Sequence, residues 1–177
     1  MVQFKKRGKN VIIYEKAIII HPENIEIGDN VIIDDFAFIC ANKSVKIGSN
    51  IHITSFISIT GNEEFVMEDF SGIASGTRVF TSNYYFKGDK YFEYFSAPVR
   101  LGKFSIVGAS SVIMPGAVLS EGTFVGANSL IESNTITESF SLYVGTPIRK
   151  IKDMNKEKIL EFEKLYKMKY RMNEVEK

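Results

Sequence analysis

LGKFSIVGASSVIMPGAVLSEGTFVGANSLIESNTITESFSLYVGTP, residues 101–147, repeats every six residues. The sixth-place series is Leu101, Val107, Ile113, Leu119, Val125, Ile131, Thr137 and Tyr143. Small residues recur four places later, at Ser105, Ser111, Ala117, Thr123, Ser129, Thr135 and Ser141. A period of six is neither the 3.6 of a helix nor the alternation of a flat sheet. It is a structural repeat. Six residues make one short extended face and one corner, and three faces close a turn. The aliphatic side chain points inward, the small residue fits the bend, and stacked turns bury a column that no single turn could bury.

The same register runs upstream through Ile27, Ile33 and Ile39, then Ile47, Ile53 and Ile59, then Met67, Ile73 and Val79. It skips two residues around Asn42-Lys43 and again near Asn62-Glu63, which leaves the core untouched. Counted this way the chain makes between five and six turns. Residues 1–20 hold two further apolar runs, Val11–Ile13 and Ala17–Ile20, readable as first strand faces or as an end cap. Pro22 holds His21 extended, which makes His21 a corner residue.

Between Val79 and Leu101 the register breaks for an insert at 83–97 that carries seven aromatic residues. It reads as an extruded loop whose rings pack on the solenoid, wall a cleft, or do both. Pro147 ends the repeat. Asp153 or Asn155 can cap a terminal helix with the apolar stripe Ile159, Phe162, Leu165, Tyr166 and Tyr170, and a Glu163–Lys167 pair. This divides the chain into a solenoid domain, 1–152, and a C-terminal helix, 153–177, expected to fold back on the last turn.

Composition narrows the function. Lys and Arg number 22 against 21 Asp and Glu, so neither a nucleic-acid footprint nor a polyacidic tail is present. The single Cys40 excludes an internal disulfide framework and fits a reducing compartment. With no apolar leader and no apolar run long enough for membrane insertion, the sequence reads as cytoplasmic.

Four stretches resemble the hexapeptide-repeat acyltransferases, specifically the sugar and xenobiotic O-acetyltransferase branch. They are Ile106-Val107-Gly108-Ala109 to Val118, Val125 to Ser129, Val144 to Ile151, and the insert placed just before Pro98 to Gly102. Ile33 to Phe36, Ile51 to Phe56 and Asp69 to Ile73 are similar to a polysaccharide-biosynthesis branch. The resemblance implies a left-handed parallel β-helix. Handedness rests on the resemblance alone, since β-strand crossovers are ordinarily right-handed. It also implies a homotrimer, acetyl-CoA as cosubstrate in a groove between prisms, and transfer to a sugar hydroxyl or amine. By position, Ala109 and Ala127 would lie along the CoA arm, and Arg149 and Lys152 would meet its phosphates.

One departure touches the chemistry. The family places a histidine just ahead of the insert, where this chain has Asn83, and an amide is no base. The acceptor must lose a proton while it attacks, and neutral imidazole suits that at neutral pH. His52 is the candidate base, oriented by Asp34 or Asp35. Adjacent acids on a strand point to opposite faces, so only one of the two reaches it. Acceptor contacts are expected at Asp34, Asp35, Asn83 and Tyr84. A metal-dependent carbonic anhydrase needs three imidazoles, which two histidines per chain do not match, and no metal site is expected. The competing reading is a silent hexapeptide scaffold or ligand-binding module.

Overall fold

A computed structural model describes residues 3–88 and 91–175. The chain winds into a three-sided parallel β-solenoid of about seven turns. Face I stacks Lys6–Arg7, Ile25–Ile27, Val45–Ile47, Phe65–Met67, Val99–Leu101 and Val118–Leu119. Face II stacks Val11–Ile13, Val31–Ile33, Ile51–Ile53, Gly72–Ile73, Ile106–Val107, Phe124–Val125 and Ser141–Val144. Face III stacks Ile18–Ile20, Phe38–Cys40, Ser58–Thr60, Arg78–Phe80, Val112–Ile113 and Leu130–Ile131. Arg149–Asp153 returns antiparallel on Ser141–Val144 and closes the edge of face II.

All 17 register positions from Ile27 to Tyr143 are buried. The turn count exceeds the five to six read from the sequence, because residues 6–20 form a complete first turn. Ile13 and Ile19 continue the register backwards, with one more two-residue step at His21–Asn24, where His21 is left-handed at φ 59° and not extended as expected from Pro22. As end-turn residues they are only half-buried, packed against the column.

The corners explain the small residues. Ser111 Oγ donates to the Gly126 carbonyl at 3.3 Å and accepts from Ser129 N–H at 3.2 Å; Ser129 Oγ accepts from Gly145 N–H at 3.2 Å. Buried hydroxyls thus satisfy backbone groups that the bend leaves unpaired. At most tight corners the residue three after the inward side chain adopts a left-handed conformation. Asparagine, glycine and serine fill many of these places, and Asn10, Asn30 and Asn50 join their amides in a ladder at 3.0 Å per step. Phenylalanine fills five others, at 36, 56, 70, 104 and 140, where a bulky residue with positive φ is strained.

The helix Lys156–Val175 starts with Asn155 Oδ1 accepting Lys158 N–H at 3.0 Å, so Asn155 is the cap; Asp153 ends the preceding strand. The helix does not stop at the last turn. It climbs the corner between faces I and II, with Lys156 over Phe140 and Phe162 and Tyr166 edge-on to Phe70. Its Glu163 pairs with Lys103 at 2.7 Å; the side chains of Lys167 and Tyr170 lie outside the described residues. Among the described residues no helix is long and apolar enough to cross a membrane.

Candidate active site

His52 stands in the middle of Ile51–Ile53, between two inward isoleucines, and so points out from face II. Its register partner one turn up is Ile32. Two residues beyond Ile32, at the start of the corner between faces II and III, Asp34 turns its carboxylate down to the ring. His52 Nε2 lies 2.9 Å from Asp34 Oδ1. With an Nε2 proton shared with Asp34, Nδ1 is left as the acceptor nitrogen of a neutral ring. Asp35 is not part of the pair. Its Oδ1 accepts Lys16 N–H at 2.8 Å and holds the corner above.

The insert is an antiparallel hairpin, Ser82–Lys87 with Tyr91–Ser96, rising from the corner between faces III and I. Asp89 and Lys90, at its tip, lie outside the described residues. Its rings pack on each other more than on the solenoid. Tyr84 meets Tyr94 at 5.1 Å, Tyr85 meets Phe95 at 6.3 Å, and Phe86 meets Phe92 at 4.4 Å. The hairpin is tied down through Tyr94 Oη, which accepts from Asn62 Nδ2 at 2.6 Å.

Beneath it opens a cleft of about 630 Å³ lined by Asn83, Tyr85, Phe95, Met114, Leu130 and residues 132–134. Strand alternation decides which hairpin residues reach it. Asn83 and Tyr85 face the cleft, whereas Tyr84 stands on the other side of the ribbon, largely exposed. Tyr85 Oη donates to Glu93 Oε2 at 2.5 Å across the hairpin. Sequence reading missed Met114, Leu130 and Glu132, which stand on face III or follow it. Their signal was their place directly beside the inward Ile113 and Ile131.

Of the expected cosubstrate residues, Ala109 and Ala127 stack one turn apart at the corner between faces II and III. The linking contact is Asn128 N–H to the Ala109 carbonyl, 2.9 Å. A Cβ on Gly108 would come within 2.4 Å of Ala127 N, so the bare backbone here is a packing requirement. Arg149 and Lys152 lie exposed on the terminal strand, and neither makes an ion pair among the described residues. Lys150 between them is bound instead to Glu138 at 2.6 Å and Asp153 at 2.7 Å, and these carboxylates raise its pKa.

A three-sided prism sets each corner opposite a face. The hairpin leaves the corner opposite face II, which carries His52. The structure therefore joins His52 to Asp34 but leaves Asn83 and Tyr84 on the far side of the same chain.

No protein-family model and no curated protein sequence matches the chain. Solved structures do. A hexapeptide transferase family protein from Anaplasma phagocytophilum aligns at 22% identity and TM-score 0.55, over 89% of each chain, which shows the fold. AntD, an N-acyltransferase from Bacillus cereus, aligns far more closely. A variant in complex with dTDP and coenzyme A is 37% identical, TM-score 0.84, covering 94% of this chain and 92% of that one. Another, in complex with dTDP-4-amino-4,6-dideoxyglucose and coenzyme A, has the same identity and TM-score over 94% and 91%. AntD with dTDP and 3-hydroxybutyryl-CoA gives 37% and 0.81 over 94% and 92%. The chain belongs to the hexapeptide-repeat acyltransferases. Within them it is similar to AntD over nearly its whole length.

Proposed function

We propose that the protein transfers an acyl group, acetyl in the first instance, from its CoA thioester to an amino or hydroxyl group of a nucleotide-linked sugar. The His52–Asp34 pair, set at 2.9 Å on an open face, carries this reading. Its support is the likeness to AntD, crystallised with coenzyme A and a dTDP-linked amino sugar. In the reaction the acceptor nitrogen or oxygen attacks the thioester carbonyl carbon. The acceptor proton passes to His52 Nδ1, the carbon–sulfur bond breaks, and the sulfur leaves with the CoA. Asp34 holds the ring and stabilises the imidazolium that forms. Ala109 and Ala127 would let the CoA arm lie against backbone, and Arg149 and Lys152 would meet its phosphates. A cytoplasmic setting and a role in surface-polysaccharide biosynthesis fit this chemistry.

The active unit in this reading is a homotrimer. Outer side chains of face I include Lys6, Glu26, Lys46 and Arg100; Glu26 pairs with Lys5, Lys46 with Glu64 and Arg100 with Glu68. Face II presents Ile12, Ile32, Ile106, Phe124 and Leu142, and face III presents Ile18, Phe38, Phe80, Val112 and Leu130. Apolar outer surface beside one charged face suits burial between copies of the chain. In such an assembly one protomer's hairpin and Asn83 would approach a neighbour's His52, which a single chain keeps apart.

The test offers acetyl-CoA or 3-hydroxybutyryl-CoA together with dTDP-4-amino-4,6-dideoxyglucose or its hydroxyl counterpart, and follows thiol release. Sugar-dependent release is expected from the trimeric protein. A panel of nucleotide-linked sugars that elicits none would leave the scaffold reading, which Asn83 favours, in its place.

A further inference from the structure

Five phenylalanines occupy left-handed corner positions, and the fold treats them in two ways. At the corner between faces I and II, Phe70 and Phe104 stack at 5.4 Å and the terminal helix covers them, leaving 7% and 3% exposed. At the corner between faces II and III, Phe36 and Phe56 stack at 5.2 Å within 5° of parallel, and no helix covers them. They stay 50% and 65% exposed. A strained backbone conformation bearing an exposed ring is a feature that packing does not explain.

The column that holds them has a gap. Lys16 Nζ sits 5.4 Å from the Phe36 ring and covers its upper side. Below Phe56 the same corner position is Gly76, with no side chain, and the next is Ser110. A Cβ on Gly76 would find the Ser110 hydroxyl at 3.2 Å and no nearer atom. From Phe56 to Ser110 is two strand spacings, about 9–10 Å. That is room for one planar ring lying against Phe56. The gap also adjoins the proposed base: Phe36 follows Asp34 by two residues, and Phe56 follows His52 by four.

We infer that Phe36 and Phe56 form a shelf on which the nucleobase of the acceptor stacks, its ring entering the gap over Gly76 against the open side of Phe56. The inference rests on reading the acceptor as a nucleotide-linked sugar. Stacking on an aromatic ring is tolerant of base identity, and it fixes one end of a ligand whose other end must reach His52. The shelf therefore selects for the nucleotide, while the sugar is read elsewhere.

Two variants test it. Phe56→Asn removes the ring and keeps a residue that accepts the left-handed conformation, as Asn128 and Asn134 do. Gly76→Phe fills the gap with a third ring; its Cβ presses on the Ser110 hydroxyl at 3.2 Å and its backbone stays left-handed, as at Phe56, so thermal unfolding is followed alongside binding. Titration calorimetry with dTDP, and separately with coenzyme A, is run on both, with oligomeric state checked by light scattering. Both variants should weaken dTDP about tenfold to a hundredfold and leave coenzyme A affinity unchanged. KM for the dTDP-linked sugar should rise likewise, with KM for the same sugar 1-phosphate, which lacks a base, unaltered. Unchanged dTDP affinity in both variants overturns the shelf, as does trimer dissociation by Phe56→Asn without a change in dTDP affinity, which would make the rings a subunit contact. The two readings fail separately. Intact transfer with unaltered dTDP affinity removes only the shelf, whereas no transfer to any sugar by the unaltered enzyme removes the acceptor assignment.

Discussion

The second to fourth turns and the fifth and sixth turns use the same corner between faces II and III for different purposes. In the upper turns the residue after each inward side chain is Asp34, Thr54 or Ala74; in the lower turns it is Gly108 or Gly126. Two of the upper turns thus put a polar group at the corner, and one of these reaches His52. Lower turns put bare backbone there, close enough that Ala109 and Ala127 stack without side-chain separation. The upper turns also carry two more residues per turn, all at the corner between faces III and I, where the hairpin later emerges. One corner absorbs length, another carries chemistry, and the column inside is indifferent to both. A solenoid permits this because each turn depends only on its neighbours.

The sharpest way to break this contrast is at the histidine. His52→Ala should lower kcat by roughly a hundredfold to ten-thousandfold, the usual range for a lost general base. Asp34→Asn should lower kcat less, and Asp35→Asn should leave kcat alone while lowering the melting temperature, because Asp35 serves the Lys16 corner. Steady-state kinetics and thermal unfolding on the three variants read this directly. Equal kinetics for the Asp34 and Asp35 variants would remove the pair from the mechanism.

The backbone half of the contrast has its own probe. Gly108→Ala forces a methyl to within 2.4 Å of Ala127 N and 2.7 Å of the Gly126 carbonyl carbon, both backbone. Overpacking of this kind should cost about 1–3 kcal/mol, seen as a lower midpoint in urea. Gly72→Ala meets only the flexible end of Ile106 at 3.1 Å and should stay within about 0.5 kcal/mol of the parent.

Length can be exchanged in the same spirit. Deleting Asn42 and Lys43 should convert a long turn to the short form, with loss of the 2.8 Å Asn42–Asn62 contact and the 3.0 Å Lys43–Glu63 ion pair. The column stays intact, so the circular dichroism spectrum should be unchanged and the midpoint lower by a few degrees, about 1 kcal/mol. Deleting Ser133 and Asn134 from a short turn leaves no spare residue and should displace the seventh turn from register with the sixth.

These contrasts show what was legible. The column could be read residue by residue, since burial follows one side chain in six and a solenoid has no competing register. The first turn escaped because end-turn side chains such as Ile13 and Ile19 are covered on one side only, and their pattern is looser. The helix was visible as a stripe, but its seat was not. Phe70 and Phe104 lie 34 residues apart in sequence because the hairpin intervenes, and the parallel stacking of the fourth and fifth turns makes them neighbours in space. Yet both stand three places after an inward residue, as do Phe36 and Phe56, and that regularity was open to reading. Asp34 and Asp35 follow the strand Val31–Ile33 into the corner, where Asp34 meets His52 and Asp35 meets Lys16 N–H, so their separation comes from the bend; strand alternation, applied inside the hairpin, would have separated Asn83 from Tyr84. The cleft under the hairpin was hidden because its lining comes from both sides of the insert.

The smallest effect belongs to the charged face, and its sign follows from the pairing. The Glu64 carboxyl is held below its ordinary value of 4.5, first by the hydrogen bond from Lys46, at 2.6 Å. A carboxyl with a depressed pKa in the folded chain adds stability that is complete above its unfolded value. That contribution is lost as pH falls through the folded value. The pair is partly exposed, so solvent screens it. The melting-temperature difference between the parent and Glu64→Gln should therefore be about 1–2 °C at neutral pH. It should stay constant down to about pH 5 and vanish in stronger acid. Raised salt should shrink the same difference. A gap that instead widens below pH 4.5 would mean that Lys46 does not hold this carboxylate, and that face I owes its polarity to solvation alone.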